Sequence, residues 1–292
     1  TLKKVLKTIP EIENIEEDTY DVMWNFLDKR MLELKEKLTV FARQNGIQIE
    51  LLDQIDSTNN RAAQKCYGAG DVIIAETQSA GRGQRGNSWS SLPGQNLTFS
   101  VVLQPDFLLA ERQFRISKTA ALAVADTIAD TGLTPSIKWP NDIYIGNRKV
   151  TGILIENDLS GAYLCRSVIG IGLNVNQTDF DPTLPNPTSL SREAGHTFDR
   201  AEIFIRFYQH LANRYRMLAE EETSNKNASQ IDTDYLNRLY RLNEEHTFID
   251  GRTGERFIGT ITGILPGGDL EVRIANTGQL QTFLFKEIEY VI

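Results

Sequence analysis

The sequence has few of the residues that build disulfide frameworks and metal sites. Its two cysteines, Cys66 and Cys165, lie far apart and form no Cys-x-x-Cys pair. Neither a disulfide-stabilised fold nor a cysteine-based metal site is therefore indicated. The three histidines, His196, His210 and His246, are isolated from one another, and the chain contains no Gly-x-Ser-x-Gly nucleophile motif. Hydrolysis by a catalytic triad or by zinc is thus not expected.

Long hydrophobic runs and an excess of positive charge are also missing. No apolar run approaches the roughly 18 to 20 residues that a membrane span needs, and the N-terminal lysines lack an apolar signal core. Together with the scarce cysteines, this predicts a cytoplasmic protein without a membrane partner. The 292 residues carry 31 basic and 39 acidic side chains, a net charge of −8. That balance disfavours non-specific binding of nucleic acid.

Residues 1–46 contain a helical pattern in their second half. Apolar residues recur at spacings of three and four from Tyr20 to Phe41, and Asn45-Gly46 can end a helix in the left-handed conformation. We assign residues 1–46 to an N-terminal helical extension. It packs on the following domain in the simpler interpretation, whereas a contact with a partner or a second copy in a homodimer is the alternative.

Residues 47–244 predict one domain with a mixed sheet and helices. Strands are predicted at Ile47–Leu51, Asp71–Glu76, Asn96–Leu103, Ile137–Ile145, Lys149–Glu156 and Ala162–Asn174, and helices at Arg112–Ala129, Arg200–Glu221 and Ile231–Asn243. Because runs of strands do not alternate strictly with helices, the pattern favours the α+β class.

Residues 245–292 are rich in turns and short strands. Seven of the chain's 21 glycines lie in the last 42 residues. Five strands are predicted at Thr247–Ile249, Phe257–Leu265, Leu270–Ile274, Gln279–Phe285 and Ile288–Ile292. Five short strands joined by tight turns predict a small C-terminal β-barrel.

The densest group of candidate binding residues follows the predicted strand at 71–76. Residues 78–89 read Gln-Ser-Ala-Gly-Arg-Gly-Gln-Arg-Gly-Asn-Ser-Trp. The glycines let the backbone approach a ligand, and Arg82 and Arg85 suit a carboxylate or phosphate. No Gly-Lys-Ser/Thr follows, so this is not a Walker A loop. On composition alone, an anion-binding loop and a solvated basic loop are equally good interpretations.

A second group lies on a predicted hairpin that turns at Gly146-Asn147. Residues 138–142 read Lys-Trp-Pro-Asn-Asp, and Lys149 and Gly152 follow on the next strand. Two lysines and one carboxylate near a tight turn suit a phosphate and its magnesium ion. Ordinary decoration of a sheet edge is the alternative.

Two further groups are weaker in isolation. Residues 56–60, Asp-Ser-Thr-Asn-Asn, end the first strand, where plain helix capping is the simpler interpretation. Residues 169–174, Ile-Gly-Ile-Gly-Leu-Asn, form an apolar strand whose glycines indicate either close approach of another group or a bulge. The four groups together fit chemistry done by positioning and charge neutralisation better than general acid-base work.

Taken in chain order, the four groups resemble the biotin protein ligases: residues 56–59, then residues 81–86 with Trp89, then residues 138–142 with Lys149 and Gly152, and then residues 170–174. The resemblance covers residues 47–292 and does not cover residues 1–46. It implies a catalytic domain like that of class II synthetases and biotin ligases at residues 47–244, followed by a small SH3-like β-barrel at residues 245–292. It also implies a two-step activity: biotin and ATP give biotinyl-5′-AMP in the presence of Mg²⁺, and biotin then passes to a lysine of the biotin carboxyl carrier domain of a biotin-dependent carboxylase.

The resemblance assigns roles to individual residues. The expected catalytic residues are Lys149, at the carboxylate-phosphate junction, and Arg82, over the adenylate. Residues expected to bind biotin are Ser57, Thr58, Asn59, Gln78, Arg82, Gly83, Gln84, Lys149, Gly152, Gly170 and Gly172, the last two glycines leaving room for the apolar tail. Residues expected on the nucleotide side are Arg85, Trp89, Lys138, Asn141, Asp142 and Asn174, with Asp142 also the candidate ligand of Mg²⁺.

The sequence departs from the family pattern in two places. Gln84 stands where many members have a second arginine, so adenylate retention would rest on Arg82, Arg85 and Lys149. Residues 1–46, with eight basic and nine acidic side chains, are too short for the winged helix-turn-helix of members that repress transcription, so DNA binding is not predicted.

Three other functions compete with biotin ligation, and one of them, a structural adaptor built on the N-terminal helix, accounts for residues 1–46 but for none of the four groups. Lipoate ligases share the core sheet and an adenylate mechanism. A non-catalytic RNA-binding module is the other alternative, but the last 47 residues hold only four Arg or Lys against six Asp or Glu.

Overall fold

The computed structural model describes residues 17–83, 88–224 and 229–292, with side chains from residue 31 onward. In these ranges the chain forms a seven-stranded mixed sheet with helices and a five-stranded antiparallel sheet at the C-terminal end. None of the helices described is both long and apolar enough to cross a membrane. The predicted site residues Gln84 and Arg85 lie outside the described residues.

The elements are numbered in chain order. The first sheet contains β1 Ile49–Ile55, β2 Val72–Gln78, β3 Leu97–Leu103, β4 Pro135–Lys138, β5 Asp142–Ile145, β6 Arg148–Ser160 and β7 Tyr163–Leu173. The second contains β8 Glu245–Asp250, β9 Arg256–Ile264, β10 Leu270–Ile274, β11 Leu280–Phe283 and β12 Ile288–Tyr290. The helices are α1 Glu17–Asn45, α2 Thr58–Ala62, α3 Phe114–Ala129, α4 Leu190–Ala194, α5 Arg200–Thr223 and α6 Gln230–Asn237, and a 3₁₀ helix spans Ala110–Arg112.

The strand order of the first sheet is β1-β2-β3-β7-β6-β5-β4. Only β1 and β2 run parallel, and all other neighbours are antiparallel. In this register Gly172 pairs with both Thr98 and Gly152, and Gly152 pairs with Asp142. The sheet thereby aligns residues from two of the four sequence groups in one row across its strands.

The two faces of this sheet are covered unequally. On one face the buried stretch Ala120–Ala125 of α3 and the aromatic rings of α5 form the main core, where Phe99 packs edge-on against Phe204 and Phe207 at centroid distances of 5.2 and 5.0 Å. The opposite face carries a small cluster around α2 that includes Ala62. Much of this second face is left for a pocket.

The predicted elements match the structure with two exceptions. The stretch Ile137–Ile145 is two antiparallel strands, β4 and β5, because the chain reverses at residues 139–141, where the Trp139-Pro140 peptide is cis. The predicted helix Ile231–Asn243 is wrong in its second half: α6 ends at Asn237, and Arg241 and Asn243 have φ angles of 62° and 59°, which no α-helix accommodates.

The N-terminal helix packs on the rest of the chain, as the simpler interpretation predicts. Its side chains Leu34, Leu38 and Phe41 are buried, and the Phe41 ring lies 5.4 Å from that of Tyr208 on α5. The helix ends at Asn45 as predicted. A homodimer contact through this helix remains a prediction.

The C-terminal sheet has the order β11-β10-β9-β8-β12 and lies against the tip between β4 and β5. The Trp139 indole Nε1 donates a hydrogen bond to the Gly268 carbonyl at 2.8 Å, and its ring lies 5.2 Å from that of Phe285. This contact places the last strand of the chain beside the open face of the first sheet.

Candidate functional site

One cavity of about 580 Å³ occupies the open face of the first sheet, a size typical of small-ligand sites. It brings together residues from all four sequence groups and from the C-terminal sheet. Of the predicted site residues, those that line it are Ser57, Thr58, Asn59, Gln78, Arg82, Gly83, Trp89, Lys138, Asn141, Asp142, Lys149, Gly152, Gly170 and Gly172.

One end of the cavity is a network of hydroxyl and amide groups. Ser57, Thr58 and Asn59 are each 3% exposed, and Ser57 makes no side-chain cap to α2, so helix capping does not explain this group. The Gln78 side-chain oxygen accepts a hydrogen bond from the Thr58 backbone N–H at 2.7 Å. The Ser100 hydroxyl lies 2.8 Å from Thr58 Oγ1 and 2.6 Å from Asn59 Oδ1. Such a network holds its donors and acceptors in fixed directions.

Gly170 admits the Asn59 side chain to the sheet. A Cβ atom at Gly170 would overlap the Asn59 Oδ1 atom. The Asn59 amide also donates to the Glu156 carboxylate at 2.8 Å. The strand β7 pairs regularly through Gly170 with both neighbours, so no bulge is present there, and the group that approaches Gly170 closely is the Asn59 side chain.

The Trp89 indole forms the apolar middle of the cavity. It lies directly on Gly172, where a Cβ atom would overlap the ring, and near Gly152, where a Cβ atom would lie 3.1 Å from Trp89 Cζ3. The backbone N–H of Trp89 donates to the Gly81 carbonyl at 3.0 Å. Gly170 and Gly172 therefore accommodate two side chains of this protein, Asn59 and Trp89, in the space that the resemblance reserved for a ligand tail.

The opposite end of the cavity is cationic. The Lys149 ammonium pairs with Asp142 Oδ1 at 2.7 Å and lies 6.0 Å from the centroid of the Trp89 ring. The Lys138 ammonium lies over the rings of Tyr144 and Tyr290, at 5.2 and 4.7 Å from their centroids. Around the whole cavity the lining residues include four cations, Arg82, Lys138, Lys149 and Lys286, and two carboxylates, Asp142 and Glu289, which leaves a net positive charge that suits a ligand anion.

Burial lowers the pKa of Lys138, and the nearby charges of Lys149 and Arg241 act in the same direction. A lysine with a lowered pKa destabilises the folded chain at pH values below that pKa, and the penalty fades as the pH rises toward its ordinary value of 10.5. The carboxylate of Asp142 acts against this lowering.

Replacing Lys138 by methionine should therefore raise the thermal midpoint at neutral pH by about 2 to 4 °C, and the gain should shrink as the pH approaches 10.5. The same variant should bind ATP more weakly, since it lacks the charge. Thermal unfolding at several pH values and a titration with ATP check both effects. A Lys138→Met variant less stable than wild type at neutral pH would contradict the lowered pKa of Lys138.

Arg82 lies at the rim of the amide-rich end. Its guanidinium Nη2 donates to the Asn60 side chain at 2.7 Å and pairs with Glu156 at 3.1 Å. The side chain is 46% exposed, so it is accessible to a ligand in the cavity.

The two predicted asparagines differ in position. Asn141 lines the cavity and donates to the Ile153 carbonyl at 2.6 Å. Asn174 does not line the cavity: it is buried, and its amide donates to the Thr188 carbonyl at 2.9 Å. The structure thus places Asn174 in the connection that follows β7, and its role on the nucleotide side remains a prediction.

The carboxylates that line the cavity suit a metal ion that binds together with a nucleotide. Within the described ranges, no group of three or more His, Cys, Asp or Glu side chains could hold a metal ion. Asp142 and Glu289 are the acidic residues that line the cavity. Because Mg²⁺ is commonly held by one or two carboxylates together with substrate phosphates, this donor set fits Mg²⁺ bound to a nucleotide.

Sequence reasoning missed the residues that the C-terminal sheet contributes. The cavity is also lined by Phe285, Lys286, Ile288, Glu289 and Tyr290. Their contribution depends on the packing between the two sheets, which no local pattern encodes. By contrast, Leu154 shares a strand face with Gly152, so the alternation along β6 could have indicated it.

These features define a class of protein: one that binds a ligand with a hydrogen-bonding head and an anionic end on an open mixed sheet. The sequence pattern of the Biotin/lipoate A/B protein ligase family matches residues 51–174. The biotin–(acetyl-CoA-carboxylase) ligase of Paracoccus denitrificans is 34% identical over 235 residues, which span 76% of this chain and 93% of the relative. The chain belongs to the biotin protein ligase family.

Other relatives and one solved structure show the extent of the likeness. The bifunctional ligase/repressor BirA of Bacillus subtilis is 35% identical over 177 residues, 59% of this chain and 54% of the relative. The chain thus spans about half the length of the BirA proteins of Bacillus subtilis and Bacillus spizizenii. The biotin protein ligase from Aquifex aeolicus in complex with biotin and ATP has the same fold, with a TM-score of 0.69 and 24% identity over 84% of this chain and 99% of that one.

Proposed function

We propose that this chain is a biotin protein ligase that forms biotinyl-5′-AMP from biotin and ATP and transfers biotin to a lysine of a biotin carboxyl carrier domain. The observation that carries the proposal is the cavity itself, in which fourteen of the seventeen predicted site residues meet. A relative named as a biotin ligase, covered over 93% of its length, supports the same activity.

The amide-rich end suits the ureido head of biotin. A ureido group presents two N–H donors and one carbonyl acceptor, and Ser57, Thr58, Asn59 and Gln78 supply hydroxyl and amide partners from a buried, fixed network. The Trp89 indole would pack on the apolar part of the ligand. Gly170 and Gly172 act indirectly, because they let Asn59 and Trp89 approach the sheet.

The cationic end suits the reacting carboxylate and phosphate. In the first step an oxygen of the biotin carboxylate bonds to the α-phosphorus of ATP, and the bond from that phosphorus to the pyrophosphate oxygen breaks. Lys149 and Lys138 would offset the charge of two anions brought together. When bound with the nucleotide, Mg²⁺ neutralises phosphate charge, and Asp142 is the residue best placed to hold it.

The second step needs mainly orientation. The neutral amine of the carrier lysine attacks the carbonyl carbon of the mixed anhydride, AMP leaves, and the amine loses a proton. A carrier domain is the proposed partner. A cytoplasmic location and the absence of DNA binding remain predictions from the cysteine content and the charge.

Replacing Arg82 by alanine should release biotinyl-AMP into solution about ten-fold faster, because a rim guanidinium beside the ligand would no longer hold its anionic part. Release can be followed by rapid filtration of enzyme loaded with labelled biotin and ATP. Arg252→Ala, which removes an exposed arginine of the C-terminal sheet, is the matched control. Unchanged release from Arg82→Ala would remove Arg82 from the site.

Lipoate is the second candidate substrate, because the matching family description includes lipoate ligases. The experiment that separates the two measures ATP–pyrophosphate exchange with biotin or with lipoate as the only acid. We expect exchange with biotin, and a raised thermal midpoint in its presence. Exchange with lipoate alone would overturn the proposed substrate.

A further inference from the structure

The segment that returns from the glycine-rich loop to β3 is fastened to a buried carboxylate. Residues 92–95, Leu-Pro-Gly-Gln, form a turn in which Gly94 has a φ of 75° and the Gln95 N–H donates to the Leu92 carbonyl at 3.4 Å. Proline followed by glycine suits the central positions of a type II turn. The Gly94 N–H points inward and donates to the Glu76 carboxylate at 2.6 Å.

A single guanidinium joins this carboxylate to three parts of the fold. Arg200 Nη1 donates to both oxygens of Glu76, at 3.0 and 2.9 Å, and to the Asn96 carbonyl at 3.0 Å. Glu76 lies on β2, Asn96 directly precedes β3, and Arg200 begins α5. Both charged residues are 6% exposed. A buried ion pair adds little net stability, but it holds its partners in one geometry.

Helix α1 contacts the start of α5 beside this ion pair. Asp199 precedes Arg200 and caps α5 by accepting from the Ala201 N–H at 2.8 Å. The Lys37 side chain of α1 forms an ion pair with Asp199. A cavity of about 220 Å³ between α1 and the turn is lined by Leu34, Gly94 and Arg200, among others.

We propose that Glu76 and Arg200 are positioning residues that hold the returning segment, residues 88–96, and so place Trp89 on the sheet, and that α1 braces this pair through Lys37. Neither Glu76 nor Arg200 lines the ligand cavity. They act through the backbone at Gly94, five residues after Trp89. This gives the N-terminal helix a role in the site, and its effect on ligand binding rests on the proposed function.

The first test needs no ligand. The rate of trypsin cleavage after Arg82 reports how firmly the chain beside the returning segment is held. Cleavage after Arg252, in an exposed turn of the C-terminal sheet, reports unfolding of the protein in general. The ratio of the two initial rates, from mass spectra of the fragments, should rise about five-fold or more in Arg200→Met, less in Arg200→Lys and slightly in Lys37→Met. The exposed Lys35→Met, on the same helix, should match wild type.

Glu76→Gln keeps the shape of the pair, and it carries the test if the Arg200 variants do not fold. A folded Glu76→Gln or Arg200→Met protein with an unchanged cleavage ratio would overturn the proposal. Equal ratios for Lys37→Met and Lys35→Met would overturn the bracing role of α1.

The second test separates positioning from a merely structural role. In biotin-dependent exchange, Arg200→Met should raise KM for biotin about ten-fold with a smaller change in kcat, and Arg200→Lys should recover part of the loss. An unchanged KM in a variant with a raised cleavage ratio would contradict the placement of Trp89. If wild type itself shows no exchange while the cleavage ratios behave as expected, the proposed function fails. The role of Glu76 and Arg200 in holding residues 88–96 then still stands.

Discussion

Replacing Lys149 by alanine should slow biotin-dependent ATP–pyrophosphate exchange by about 100- to 1,000-fold, the loss typical of removing one preorganised charge from a reacting centre. The Lys149 ammonium is positioned by Asp142 at the cationic end of the cavity and is 33% exposed. Its removal therefore creates no large buried hole. The backbone of Lys149 keeps its hydrogen bonds to Asn186 and Thr188, since those do not use the side chain.

The Lys149→Ala protein should consequently retain the thermal midpoint of wild type within a few degrees while losing exchange. Lys35→Ala removes a lysine of similar chemistry from the exposed side of α1 and should change neither quantity. Asp142→Asn should weaken exchange less than Lys149→Ala does, because it leaves the ammonium in place. Exchange in Lys149→Ala equal to that of wild type would remove Lys149 from the reacting centre.

Replacing Gly170 by alanine should raise the Kd for biotin by about 30-fold or more, because a Cβ atom there overlaps the Asn59 side chain and would displace it. Asn59 would lose its hydrogen bonds to Ser100 and Glu156 together with its direction toward the cavity. Isothermal titration with biotin measures the loss directly. Small misplacements of positioning groups have large effects in such sites.

Gly263→Ala is the matched control for this substitution. Gly263 also lies within a strand, β9, but nothing lies within 4 Å of the position that its Cβ atom would take. We expect Gly263→Ala to bind biotin as wild type does. Wild-type affinity in Gly170→Ala would show that Asn59 takes no part in recognising the ligand.

Much of the fold and the site was predictable because strand pairing follows local pattern. Alternating strands and the Gly146-Asn147 turn predict the β5–β6 hairpin, and its register sets Asp142 beside Gly152. Once β7 pairs with β6, Gly172 follows in the same row. The placement of these groups on the sheet could thus be predicted from local pattern, whereas the roles of their residues came from the family resemblance and remain predictions.

The remaining features depend on tertiary packing. The occupants of the space above Gly170 and Gly172 are Asn59 and Trp89, which come from distant parts of the chain. The lining contributed by the C-terminal sheet, including Tyr290, depends on how that sheet docks at Trp139. The position of Asn174 could not be predicted, because an asparagine at a strand end can serve either a ligand or the backbone, and here its amide donates to the Thr188 carbonyl.

The most direct test of the account is the mass of a biotin carboxyl carrier domain after incubation with the full chain, biotin, ATP and Mg²⁺. We predict an increase equal to one biotinyl group, located on a single lysine and absent when ATP is left out or when Lys149→Ala replaces wild type. A carrier domain of unchanged mass, with its lysine unmodified in the presence of folded protein, would contradict the assignment of this chain as a biotin protein ligase.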